Sequence, residues 1–154
     1  MGNHIIFMYS YHTMSTQKIG KAIAKKIDAT IIDINNSPEP IELIDYDLVG
    51  LGAGIAGGKH YSQMLKYAEK LPKVQNKKAF IFSTSGGSSE KSASKNHKAL
   101  REILQSKGFV VIDEFNCKGF VYFFFKFLGT NKGRPNDEDI KNAEIFADSL
   151  LKDK

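Results

Sequence analysis

Apolar residues recur along this chain in two alternating rhythms. Short, near-continuous runs rich in β-branched and aromatic side chains stand at Ile5–Tyr9, Thr30–Ile34, Tyr46–Leu51, Ala79–Phe82 and Phe109–Ile112. Each has the composition of a strand buried on both faces. Between or after most of them the apolar positions shift to helical spacing: Ile19, Ala22, Ile23 and Ile27, then Tyr61, Met64, Leu65, Ala68 and Leu71, then Leu100, Ile103 and Leu104. A last helix has Asn136 as its cap and Asp137, Glu138 and Asp139 at its electropositive end, followed by the stripe Ile140, Ala143, Ala147, Leu150 and Leu151. Pro72 and Gly108 stand where the helices before them should stop.

Buried strands alternating with amphipathic helices predict an α/β fold, a doubly wound, five-stranded parallel sheet with helices on both faces. At 154 residues, with no linker, repeat or low-complexity tract, one domain spanning 1–154 accounts for the chain. The mixture of 42% apolar and 25% charged residues is that of a globular protein and excludes a disordered or fibrous one. Cys117 is the only cysteine and has no internal partner, so it reads as a small core residue in a reducing compartment. The opening residues lack a basic leader, and no apolar run reaches the roughly 18 residues of a membrane span, so a cytoplasmic protein is expected.

The net charge of +5 is unevenly placed, because residues 59–107 hold 11 lysines and arginines against 3 acidic residues. Such a basic face suits an acidic partner or a solvated surface. No aromatic RNA-binding motif, zinc-finger spacing or basic run of five accompanies it, so nucleic acid is not expected as a partner.

In doubly wound sheets ligands bind beyond the carboxyl ends of the strands, where strand order reverses. After the first strand, Ser10, Thr13, Ser15 and Thr16 bring four hydroxyls to the turn that opens the first helix, with His12 among them. Capping needs one hydroxyl, such as that of Ser15 or Thr16; four with free helix N–H groups suit a phosphate. There is no G-x-x-x-x-G-K-[ST] loop. After the third strand, residues 52–57 spell G-x-G-x-x-G, but no acidic residue ends the next strand, which closes on Ser83-Thr84-Ser85. The dinucleotide reading is therefore set aside. After the fourth strand, residues 83–89 are rich in small residues whose backbone donors can meet the polar edge of a flat heterocycle. The strand ends Tyr9-Ser10 and Leu51-Gly52 carry no carboxylates, which removes a phospho-receiver site. No His/Cys/Asp spacing suggests a metal.

These three loops together resemble the flavodoxin family over nearly the whole chain. The pattern Ser-x-His-x-x-Ser-Thr-x-Lys at residues 10–18 is similar to one branch of small flavodoxin-domain proteins, as are Cys117-Lys118-Gly119-Phe120 and Gly133-Arg134-Pro135-Asn136. The resemblance implies strand order 2-1-3-4-5 and an FMN cofactor. It assigns the phosphate to Ser10, Thr13, Ser15 and Thr16, with His12 beside them among the cofactor-binding residues, and the ring to Ala53, Gly54, Ile55, Gly57, Gly58, His60, Tyr61, Ser83, Thr84, Ser85, Gly86 and Gly87. It further implies that His60 or Tyr61 stacks on the ring, and that the Gly57-Gly58 peptide turns on reduction. The function implied is electron transfer to redox partner proteins. The alternatives are an FMN-dependent oxidoreductase of the quinone reductase or protoporphyrinogen oxidase type, and a binding module that has lost FMN.

Three departures from the family stand out. The chain is basic where electron-carrier flavodoxins are acidic, which points to acidic partners. Residues 83–95 contain no aromatic to cover the ring. The aromatic run 120–128 reads as a split fifth strand or a loop packed on the core, or else as a flavin cover or a surface for a quinone or membrane-bound partner.

Overall fold

The computed structural model describes residues 3–10, 15–86, 90–118, 121–123, 128–130 and 134–152, with only the backbone at 90–92, 121–123 and 128–130. His12, Thr13, Gly87, Gly119, Phe120, residues 124–127 and Gly133 lie outside them. In chain order the elements are β1 His4–Tyr9, α1 Ser15–Ile27, β2 Ala29–Asp33, β3 Leu48–Ala56, β4 Lys59–His60, α2 Ser62–Lys70, β5 Lys77–Ser85, α3 Glu90–Ser106, β6 Phe109–Lys118, β7 Val121–Phe123, β8 Leu128–Thr130 and α4 Asp137–Leu150.

The main sheet runs β2-β1-β3-β5-β6, all parallel, with β4 added antiparallel to the end of β3. Apart from the two-residue β4, this is the expected order. One apolar cluster, including Phe7, Leu51, Ile81, Met64, Leu100 and Leu104, fills the space between the sheet and α2 and α3. A second, including Met8, Ile19, Phe80, Phe82, Phe146 and Leu150, lies between the sheet and α1 and α4. Two-sided burial is what makes the strand sequences near-continuously apolar.

Three strands run further than their apolar cores suggest, and the fourth, β5, spans Lys77–Ser85, so that Ser83, Thr84 and Ser85 lie in the strand and not in the loop after it. The third was expected to end at Leu51 but continues to Ala56, through the glycine-rich segment. Gly50 and Gly52 belong there because the rings of Phe80 and Phe82 on the adjoining strand occupy the space of a side chain: an added Cβ would stand 2.2 Å from either ring. The fifth was expected to end at Ile112 but continues to Lys118. Of the aromatic run, the described residues 121–123 and 128 do not extend it as a split strand: they belong to β7 and β8, which pair with each other in a separate two-stranded antiparallel sheet.

Helix ends follow local chemistry. Leu71, before Pro72, leaves α2 with extended backbone, and Gly108 turns the chain after α3 at φ 96°. Asn136 caps α4, accepting from the Asp139 N–H, while the Asp139 carboxylate accepts from the Asn136 N–H. Arg134 pairs with the same carboxylate through two nitrogens, so the Arg134-Pro135-Asn136 motif serves the start of this helix.

Candidate functional site

Adjacent parallel strands end here in register. Tyr9, the last residue of β1, pairs with Ala53 of β3, and Ala53 pairs with Ser83 of β5, so the three strands reach this end of the sheet in one row, beyond which β3 continues to Ala56 and β5 to Ser85. Alternation along β5 then sends Ser83 toward α3 and Thr84 toward α1. Thr84 Oγ1 lies 2.9 Å from Thr16 Oγ1, a bond between two buried hydroxyls that ties the first loop to the third.

Ser10 closes β1 and accepts the Gln17 N–H at 3.2 Å, so it is Ser10 that acts as a cap to the first turn of α1. Ser15 and Thr16 are buried in that turn, which contains no acidic residue. The positive end of the helix dipole thus faces the row with no carboxylate of its own to neutralise it.

Ala53 is buried in β3, Gly54 follows it, and Ile55 is half-buried. The Gly54 carbonyl accepts from the Tyr61 N–H at 3.1 Å. An added Cβ on Gly54 would be 2.9 Å from the Tyr61 ring, so glycine lets this ring lie on the strand. Tyr61 meets Tyr9 edge to face, with ring centroids 5.8 Å apart. Gly57 and Gly58 make the exposed turn into β4 at φ 63° and 78°. Ser85 and Gly86 continue from Thr84 toward the surface. Gly52 and Gly54 thus sit inside a strand, not in a turn that opens a helix, which agrees with setting the dinucleotide fingerprint aside.

His60 corrects one expectation. The two-residue strand turns Lys59 outward and His60 inward, and the His60 ring is 1% exposed. It packs 4.9 Å from the His97 ring, and its Nε2–H donates to the Phe82 carbonyl at 3.1 Å. The His60 ring thus faces the core, whereas Tyr61 is only half-buried. Burial first, then the nearby His97, lowers the His60 pKa to about 3, so it is a neutral imidazole. Its Nδ1 has no hydrogen-bond partner among the described residues.

Cys117 is buried, and burial, followed by the Asp139 carboxylate, pushes its thiol up to about 12. It is held as a protonated core residue. Among the described residues no group of three or more His, Cys, Asp or Glu is arranged to hold a metal, and no helix is long and apolar enough to cross a membrane.

Sequence reasoning named Ser83 but missed the three residues behind it. Ser83, His97, Glu114 and Arg101 form one hydrogen-bonded chain beneath the end of β5. A signal was present, since His97 sits three positions before Leu100 on the buried stripe of α3, a polar residue where an apolar one is the rule.

Comparison with known proteins agrees with this geometry. The family model for the Flavodoxin domain matches residues 6–123. An uncharacterised protein of Methanocaldococcus jannaschii is 48% identical over 151 residues, which cover 96% of this chain and 97% of that protein. Among solved structures, oxidised Flavodoxin 1 from Bacillus cereus superposes with a TM-score of 0.71 at 21% identity, covering 99% of both chains. The flavodoxin, WrbA-like protein from Agrobacterium tumefaciens gives 0.66 at 15% identity, covering 96% of this chain and 94% of that one. By its sequence and its fold, the chain belongs to the flavodoxin domain family.

Proposed function

We propose that this chain binds one FMN beyond the carboxyl ends of β1, β3 and β5 and carries electrons through it. One arrangement supports the reading above the rest: the Thr16–Thr84 bond holds the hydroxyl-rich opening of α1 against the row Tyr9, Ala53 and Ser83. The donor set fits the cofactor. Helix N–H groups with Ser10, Ser15 and Thr16 suit a phosphate, and no first-turn carboxylate opposes it. Tyr61 offers a ring face, and the backbone from Ser83 to Gly86 offers polar groups to a heterocycle edge.

When bound, FMN supplies one-electron and two-electron transfer chemistry. The residues bind and orient it. At positive φ, the peptide between Gly57 and Gly58 can turn over without a Cβ clash, which suits a loop that adjusts to the ring's charge. The basic stretch 59–107 favours acidic redox partner proteins, and their association weakens with salt as exposed charges are screened over about 10 Å at 0.1 M. A quinone or membrane-bound partner at the run 120–128 belongs to the same reading.

The second reading, an FMN-dependent oxidoreductase of the quinone reductase or protoporphyrinogen oxidase type, is favoured by one feature. No aromatic follows β5 through residue 95, which leaves one ring face open to a small molecule. Absorbance of the purified protein, with chromatography of the acid-released cofactor, tests the ligand. Stepwise reduction then separates the roles: a carrier passes single electrons to an acceptor protein, whereas an enzyme turns over NAD(P)H or quinone. Loss of all flavin on purification and failure to take up FMN would overturn both.

A further inference from the structure

On the β2 side of β1, a cavity of about 280 Å³ opens between α2 and the segment that leaves β2. α2 turns Gln63, Lys66, Tyr67 and Lys70 toward it, positions that repeat at helical spacing on one face. Ile34 and Pro38 form the facing wall, joined by Tyr9 at the end of β1.

The facing wall is fixed by its own backbone. The Ile34 N–H donates to the Met8 carbonyl at 3.0 Å, while the Asp33 carboxylate accepts from the Asn35 N–H and its carbonyl from those of Asn36 and Ser37. Pro38 and Pro40 restrict the chain that follows. The cavity thus has a preformed apolar lining of Tyr9, Ile34, Pro38 and the Tyr67 ring, with polar side chains at its entrance.

Tyr67 brings an unmet hydrogen bond to this space. The residue is 3% exposed, and its ring packs on that of Phe7 with centroids 5.2 Å apart. Its hydroxyl is closed to water and has no hydrogen-bond partner among the described residues. Buried hydroxyls are as a rule satisfied, so an orphan beside a cavity marks a place for an acceptor. Burial, and then the charge of Glu39, push its pKa up to about 12, so the group keeps its hydrogen. Glu39 also lies 3.8 Å from Lys70, which places the orphan hydroxyl at the lysine end of the cavity.

The charges at the entrance select the sign of a ligand. Lys66 and Lys70 are exposed there, and among the described residues that line the cavity none is acidic. Lys66 has no ion-pair partner among the described residues. The Lys70–Glu39 pair has side chains 52% and 81% exposed, so it is worth little in water and yields to a competing anion. Exposed side chains change rotamer within nanoseconds, so Asn35, Gln63 and the two lysines do not bar entry.

We propose that this cavity is a second ligand site, for a small aromatic carboxylate, whose ring lies against Tyr9, Ile34, Pro38 and Tyr67 and whose carboxylate accepts from the Tyr67 hydroxyl beside Lys66 and Lys70. The size agrees, since sites for drug-sized ligands begin at about 300 Å³ and this one suits a single ring. The site stands apart from the flavin reading. Tyr9 nevertheless meets Tyr61 edge to face, so one aromatic ring separates the cavity from the face proposed for the flavin.

Benzoate is the probe, followed by NMR titration of the wild-type protein, with benzamide and inorganic phosphate in parallel to remove the charge and the ring in turn. Benzoate should shift the amides of Asn35, Lys66 and Tyr67 saturably, with an affinity at least about threefold above that of either comparison ligand. A smaller margin, or shifts confined to the opening of α1, overturns the proposal. Tyr67→Phe deletes the donor and keeps the ring. Its benzoate affinity should fall about three- to tenfold while its urea midpoint does not, because no protein partner is lost. Lys66→Gln alters an exposed side chain, so it carries the test should Tyr67→Phe not fold, and its affinity should fall about threefold. Wild-type affinity in either variant overturns the proposal, whatever its midpoint, and leaves the cavity to water.

Discussion

Thr16 and Thr84, 68 residues apart in the chain, share a 2.9 Å hydrogen bond that fastens the first turn of α1 to the end of β5. Both hydroxyls are buried, at 2% and 6% exposure, so neither has water as a substitute partner. The bond therefore joins the stability of the fold to the shape of the site.

Replacing Thr16 by Val keeps the shape and deletes the hydroxyl. Thr84 Oγ1 loses this partner, which costs about 1–3 kcal/mol of folding stability. FMN affinity falls as well, because the two loops are no longer held together. Urea denaturation and calorimetric titration of the same variant check both outcomes. A variant that loses affinity but no stability would mean that Thr16 contributes only through direct contact with the ligand.

Three glycine-to-alanine changes separate close approach from backbone strain. At Gly57 an added Cβ meets nothing within 4 Å, so only the positive φ of 63° opposes it, at about 1 kcal/mol. At Gly52 the Cβ lies 2.2 Å from the Phe82 ring, and repacking costs about 1–3 kcal/mol. At Gly108 a φ of 96° combines with a Cβ only 1.7 Å from the Val74 carbonyl oxygen, a backbone atom that yields little. Denaturation midpoints should rank Gly108→Ala as the most destabilised and Gly57→Ala as the least.

Acid sensitivity should begin before the carboxylates titrate. The His60 pKa is lowered from 6.5 to about 3 by burial and by His97, so the unfolded chain takes up its proton first. Stability from this group is complete above 6.5 and is lost as pH falls toward 3, at a slope of up to about 1.4 kcal/mol per pH unit. Glu114, held at about 2 from an ordinary 4.5, adds its loss only below 4.5. Urea denaturation of the wild type and of His60→Gln from neutral pH to 4.5 checks the assignment, because the variant should lose the decline in this range. An unchanged slope would assign the decline to other groups.

The layered fold was legible because two-sided burial writes itself into near-continuous apolar strands. The glycine-rich end of β3 was not, since glycine has low strand propensity and its reason for being there, the rings of Phe80 and Phe82, lies on another strand. The far half of β6 carries Asp113, Glu114 and Asn116, polar residues that end the apolar run at Ile112 although the strand continues to Lys118, where the bulge and the hydrogen bonds of Glu114 with His97 and Arg101 hold it. Within the site, Thr16 and Thr84 were named from their loops, but the bond between them needs the register of β3 against β5. His60 and Tyr61 could not be told apart from sequence, because one residue of strand phase decides whether a side chain faces solvent or core.

The most direct test of the FMN proposal is calorimetric titration of the flavin-free protein with FMN and with riboflavin, which differ only by the phosphate. The account predicts micromolar or tighter binding of FMN and binding of riboflavin at least about tenfold weaker, since charge-assisted hydrogen bonds at the opening of α1 are lost. Equal affinities, or no binding of either, would contradict it.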